Sequence, residues 1–261
     1  MTEVLALVGL RSGSQGLPDK NVLPLAGHPL AAWILAAARR SQRVTRIVVS
    51  TDSEDYAALA RRDGAETPVL RPAELAGDDA PDSLFVAHML DHLERMEGYR
   101  PDILLRLVAT APLQSAADLD AAVDTLVADP AADSAMVVAE ARQHPMKAMR
   151  REVDPEGRVR LVPYLTPASG SSDRVEPAAR QAYAPAYLRA NVVATRPDTL
   201  RRTGTLAGDR VACVVIDQAR AVDIDTAADL HLAEVLLTRA DPPIPPPVPV
   251  SGTGHRSGDT E

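Results

Sequence analysis

Two short stretches of the chain hold residues that could do chemistry. The first, GLRSGSQGLPDKN at 9–21, gathers three glycines, two serines, an arginine and a lysine immediately after an apolar run. Glycine admits close backbone approach and positive φ, and successive N–H groups can form a nest for an anion. Arg11 adds a two-pronged cation and Lys20 a compact one, so phosphate is the guest this loop suits. The second stretch is VDID at 222–225. In an extended chain, residues two apart point the same way, so Asp223 and Asp225 share one side while Ile224 packs on the other. Two hard oxygen donors on one edge suit Mg²⁺, which takes its remaining ligands from water and substrate phosphates. Two turn or capping carboxylates ahead of a helix at Ala227 would explain the same spacing. Asp229 fits the first turn of that helix, where its charge favours the dipole.

Elements of the right kind surround both stretches. Runs rich in Val, Ile, Leu and Ala at 4–8, 46–50, 103–108, 134–139, 190–194 and 211–216 read as strands. Several are continuous rather than alternating, as in strands covered on both faces. Helical patterns at 29–40, 53–62, 82–97, 116–128 and 227–239 lie between them, with Asp52–Ser53 and Ser115 placed as N-caps. The alternation predicts an α/β fold with a mostly parallel sheet flanked by helices, and the glycine loop then sits at the carboxyl edge of the first strand. Neither G-x-G-x-x-G nor a Walker A loop is present. The pattern lapses at about 145–189, where MRREVDPEGRVRLVPYL reads as a hairpin turning at Asp154–Gly157 and a Gly/Ser-rich loop follows. A catalytic domain at 1–240 with this inserted arm, then a Pro-rich disordered tail at 241–261, is the expected organisation.

The 261 residues carry a net charge of −8, which argues against a general nucleic-acid or anionic-membrane binder. Only Lys20 and Lys147 are lysines among the 28 basic residues, a modest pointer to positions where a compact charge matters. Cys213 is the single cysteine, so a cytoplasmic setting is expected, and its apolar context VACVVI predicts a buried, inert thiol. No signal peptide or membrane span is read.

RSGSQGLPDKNVLPLAGHPL resembles the signature of the acylneuraminate cytidylyltransferases, the CMP-sialic acid synthetases. The likeness continues through RIVVSTDSEDYAALARRDGAE, LRPAELAGDDA, TAPLQSAADLDAA and AVDIDTAADLHLAE, in the family's order over about residues 4–238. The resemblance implies a Rossmann-like nucleotidyltransferase fold of the GT-A-like kind, with the antiparallel arm serving dimerisation. It implies that Arg11 and Lys20 hold the CTP triphosphate and that Ser14 and Gln15 complete the cradle. Asn21 falls at the nucleoside, Arg71 near the cytosine and Ala80 where bulkier bases are excluded. On the acceptor side it implies Lys147, from a His-Pro-x-Lys motif, together with Arg180, Gln181, Arg189 and Asn191. Asp223 and Asp225 become ligands of Mg²⁺, for which Mn²⁺ can substitute. The implied protein is a homodimer that uses CTP and a nonulosonic sugar acid, with no nucleic-acid or membrane partner.

The sequence departs from the family at Gln15, where lysine is common, and at Val108, Gln114, Val192 and Thr195. Most of these positions lie on the sugar side, so a relative of N-acetylneuraminic acid, or a phosphonate acceptor, stays open beside it. A catalytically silent nucleotide binder is the reading of another class, and retention of Arg11, Lys20, Asp223 and Asp225 together argues against it. His144 reads as a local turn or packing residue.

Overall fold

The computed structural model describes residues 2–13, 17–77, 79–165, 182–241 and 243–250. The first apolar run forms β1 (Val4–Gly9), whose side chains divide by parity. Val4, Ala6 and Val8 enter one cluster; Leu5 and Leu7 enter another. A strand that is apolar on both faces needs cover on both, and the chain supplies it.

After the glycine loop, β2 (Pro24–Leu25) and β3 (His28–Pro29) form a short ladder leading into α1 (Leu30–Arg40). Then come β4 (Arg46–Ser50), α2 (Glu54–Arg62), α3 (Asp82–Glu97), β5 (Ile103–Val108), α4 (Ala116–Ala128) and β6 (Ser134–Glu140). The arm is a hairpin of β7 (Met149–Val153) and β8 (Val159–Pro163). It is followed by β9 (Tyr187–Thr195), α5 (Pro197–Thr203), β10 (Val211–Ile216) and α6 (Ala227–Leu237). The main sheet runs β10-β6-β9-β5-β1-β4, with β9 antiparallel to both its neighbours and the other pairings parallel. The carboxyl ends of β1 and β5 therefore lie side by side, with Gly9 opposite Val108. Among the described residues, no helix is long and apolar enough to cross a membrane.

Local chemistry sets the boundaries. Ser53 caps α2 by accepting from the Tyr56 N–H, and Ser115 and Asp118 close a capping box at α4. Thr226 and Asp229 do the same at α6, so Asp229 serves the helix as its position suggested. Gly157 takes φ +79° in the turn between β7 and β8, a conformation open to glycine without steric cost. His144 accepts from the Met146 N–H through Nδ1, contacts the Ala184 carbonyl through Nε2 and stacks on Tyr183, a packing role.

Three expectations need correction. Residues 243–250 are docked, not a free tail: Arg39 donates to the Val248 carbonyl, Arg40 to those of Pro245 and Pro246, and the Val250 N–H to the Arg62 carbonyl. Prolines lack N–H groups but keep their carbonyls, and two arginines at one helix end meet that arrangement by donating to carbonyls of the segment. Residues 251–261 lie outside the described residues, as does the Gly/Ser-rich part of the arm. Cys213 is exposed because β10 is an edge strand whose Val211, Cys213 and Val215 all face outward. Finally, α5 was not foreseen: at seven residues it is too short to show a periodicity.

Candidate functional site

Gly9 ends β1 against the ring of Phe85 from α3. A Cβ there would fall 2.9 Å from Phe85 Cζ and 3.3 Å from Arg71 Nη2, so glycine is required by close approach. The space it leaves admits a stacked pair, the Arg71 guanidinium 4.2 Å above the Phe85 ring centroid. Arg71 is buried and fixed: its Nε donates to Ser50 Oγ at 3.0 Å and its Nη2 to the Ser50 carbonyl at 2.7 Å. Burial lowers its pKa to about 10, offset in part by Asp52 and Asp82, so it stays charged at neutral pH.

The glycine loop is tied to the β4–α2 turn. Asp52 accepts from the Ser12 N–H at 2.8 Å and from the Ser12 hydroxyl at 2.6 Å. Burial pushes the Asp52 carboxyl up, but the two Ser12 hydrogen bonds, its own backbone N–H and the Arg71 charge together outweigh it and hold the group below its ordinary pKa. Beyond the loop, Asp19 sits at φ +51° and accepts from the Tyr56 hydroxyl at 2.9 Å. Asn21, buried, donates to the Arg11 carbonyl at 2.9 Å.

These contacts surround a cleft of about 160 Å³ lined by Gly9, Arg11, Lys20, Asn21, Arg71, Asp82, Phe85, Val108, Ala109 and Thr110. Arg11, Lys20, Asn21 and Arg71 were all named from the sequence, and the fold brings them together. Ser14 and Gln15 lie outside the described residues. Ala80 is in the loop ahead of α3, its N–H bonded to the Gly77 carbonyl, and does not line the cleft.

Residues 222–225 belong to no ladder strand, yet the expected alternation holds. Ile224 is fully buried and its N–H bonds the Thr110 carbonyl, while Asp223 and Asp225 face out. Asp225 Oδ1 lies 2.8 Å from Lys20 Nζ, joining the carboxylate pair to the cleft. Asp223 Oδ2 accepts from Asn191 Nδ2 at 2.6 Å. No group of three or more His, Cys, Asp or Glu side chains could hold a metal among the described residues. Two exposed carboxylates beside a cationic cleft nevertheless fit an ion such as Mg²⁺ that relies on few protein oxygens.

A larger cavity of about 700 Å³ opens on the other side of Asp223, lined among others by Glu140, Arg142, Leu188, Arg189, Asp217 and Asp229. Arg189 thus joins Asp223 in this cavity, whereas Asn191 lines neither space and reaches Asp223 through its amide. Lys147 sits in the turn Pro145–Lys147 before the arm and lines neither space. Arg180 and Gln181 lie outside the described residues. Sequence reading took Asp52 as part of a helix cap rather than as the anchor of the glycine loop, and missed Asp82, Phe85 and Arg106. Phe85 is the chain's only phenylalanine, and Arg106 is a lone charge inside an aliphatic strand, a signal that was available.

A family model described as cytidylyltransferase matches residues 5–153. Post-translational flagellin modification protein B of Campylobacter coli is 29% identical over 241 residues, 91% of this chain and 96% of that protein. N-acylneuraminate cytidylyltransferase of Escherichia coli O18:K1:H7 is 44% identical over 89 residues, 34% of this chain and 21% of its own. CMP-N,N'-diacetyllegionaminic acid synthase of Legionella pneumophila is 39% identical over 111 residues, 42% of this chain and 47% of its own. The matches to these last two thus span less than half of each relative. Among solved structures, CMP:2-keto-3-deoxy-manno-octonic acid synthetase complexed with CTP superposes with a TM-score of 0.64 at 16% identity, covering 91% of this chain and 99% of that one. That likeness shows a shared fold.

Proposed function

The chain belongs to the cytidylyltransferase family, and from that premise we propose that it transfers CMP from CTP to the anomeric hydroxyl of a sialic acid or related nonulosonic acid, releasing pyrophosphate. The observation that carries the reading is the convergence of Arg11, Lys20, Asn21 and Arg71 on one cleft, with Lys20 touching Asp225. In this reading the triphosphate is met by Arg11 and Lys20, and the nucleoside by Asn21 and the Arg71–Phe85 stack. Holding the α-phosphorus and the acceptor hydroxyl in line supplies much of the rate, because positioning replaces a bimolecular encounter. Arg11 and Lys20 neutralise the charge that gathers on the departing pyrophosphate.

Asp223 and Asp225 would hold Mg²⁺, or Mn²⁺ in its place, which when bound supplies Lewis-acid stabilisation of the phosphate oxygens. The Lys20–Asp225 pair keeps both groups near the cleft before substrate arrives. The acceptor falls on the Asp223 side, where Arg189 and Arg142 offer cations for a sugar carboxylate. Lys147, Arg180 and Gln181 complete the acceptor set by resemblance. The curated relatives named for legionaminic and acylneuraminic acids support this acceptor class.

The arm supports a homodimer as part of the same reading. Val153, Val159, Leu161 and Tyr164 are more than half exposed, an apolar surface that a second copy would cover. A cytoplasmic setting goes with this reading.

The test is pyrophosphate release by purified protein with Mg²⁺, comparing CTP, ATP, GTP and UTP against a panel of nonulosonic acids. Release with CTP and one sugar acid supports the proposal and names the acceptor. CTP binding with silence across the panel would reject the sugar-acid reading in favour of another acceptor or a silent binder.

A further inference from the structure

The central strand β5 reads ILLRLV, so a guanidinium stands where every other residue is aliphatic. Parity puts Arg106 on the face it shares with Leu104, packed beneath α3, and Val108, which lines the nucleotide cleft. The side chain is only 15% exposed. Its Nη2 lies 2.7 Å from Asp82 Oδ2, in the first turn of α3 and itself a cleft residue. Its Nη1 donates to the Asn191 carbonyl at 3.0 Å. Its Nε–H is buried and has no acceptor among the described residues.

Asn191 is unusual in turn. It takes φ +64° inside β9, where the pairing with β6 shifts register between Met136 and Val138. Asparagine tolerates that conformation better than other non-glycine residues, but inside a strand it breaks the ladder, so its neighbours help to hold it there. Its side-chain amide, as described, donates to Asp223. The contacts therefore form one chain: Asp82, Arg106, Asn191, Asp223. An aliphatic residue at 106 would suit the strand and avoid an unsatisfied buried donor, so the guanidinium is retained at a cost.

We propose that Arg106 is a positioning residue that joins the nucleotide cleft to the acceptor edge. It clamps the Asn191 carbonyl against Asp82, keeps Asn191 in its left-handed conformation, and thereby sets the amide that orients Asp223. The link to the acceptor rests on the cytidylyl-transfer reading; the structural link does not.

The test uses Arg106→Leu, Arg106→Lys and Asn191→Gly, the last able to keep the backbone angle without the amide. By hydrogen exchange, R106L speeds the Ile224 amide and the 187–193 segment about tenfold, with α4 and β1 unchanged. Unchanged exchange at those sites, or uniformly faster exchange everywhere, overturns the proposal. In turnover, R106L raises the acceptor KM about tenfold and leaves the CTP KM within about twofold, and adds nothing further in the N191G background. Equal rises in both KM values, or additive effects with N191G, overturn it. R106K keeps the charge but replaces the rigid planar fork, which holds Asp82 and the Asn191 carbonyl on separate nitrogens, by one compact ammonium on a flexible stem, so it behaves like R106L; wild-type behaviour would show that charge alone suffices and the proposal is wrong. A wild type without turnover would sink the functional reading, and the exchange measurement would still decide this one.

Discussion

The two sides of the Lys20–Asp225 pair, on the proposed reading a nucleotide side and an acceptor side, are built differently. On the nucleotide side, Arg71 is buried, hydrogen-bonded to Ser50 and stacked on Phe85, and Asp52 and Tyr56 tie down both ends of the glycine loop. On the acceptor side, Arg189 is exposed, Lys147 lies in a short turn, and the adjoining arm presents bare aliphatic residues. A site whose side chains are locked by their own neighbours recognises one ligand and loses no entropy in ordering itself. A site open to water depends on what covers it. The difference matches a fixed nucleotide and an acceptor that varies among relatives.

The comparison can be broken at its seam first. Asp223→Asn is expected to cut turnover at least about 10³-fold, because on the proposed reading this carboxylate would hold a metal where charge develops. Asp223 is exposed, so the melting temperature should stay within about 2 °C, which initial rates and a thermal melt together would check. Lys20→Met comes next: loss of a charge-assisted contact of about 1.5–3 kcal/mol weakens CTP binding about 10–100-fold, read by calorimetry. Lys147→Ala should raise the acceptor KM about tenfold and leave CTP affinity alone; a matching loss of CTP affinity would erase the division between the sides.

The smallest effect is in pH. Asp52 has a folded-state pKa below its ordinary value, so it contributes stability above the ordinary carboxylate range and loses it as pH falls through the folded value. Asp52→Asn should flatten that acid limb of the stability curve in denaturant melts at stepped pH. An unchanged limb would mean that the Ser12 contacts do not anchor the loop.

What could be read from sequence follows the same division. The strands of the core were legible because both faces are covered and the apolar runs are unbroken. The cleft was legible because its residues cluster in one loop, and Arg71 because its surrounding motif resembles a family. Cys213 misled for the opposite reason: VACVVI looks like a covered strand, but its place at the sheet edge is a tertiary fact. The docked segment 243–250 misled because composition counts what a peptide can bury itself, while here Arg39 and Arg40 on α1 supply the donors. α1 gave a hint, since Leu30 through Ala38 are all buried and such a helix needs cover on its outer side. Arg106 was visible as a charge in an aliphatic strand, but its partners Asp82 and Asn191 lie far off in sequence.

The central claim is that the cleft between Gly9, Arg71 and Lys20 is a CTP site, and direct titration tests it without any acceptor. Calorimetry with Mg²⁺ should show CTP binding at least about tenfold tighter than UTP. Failure to bind CTP, or equal binding of the two, would contradict the account.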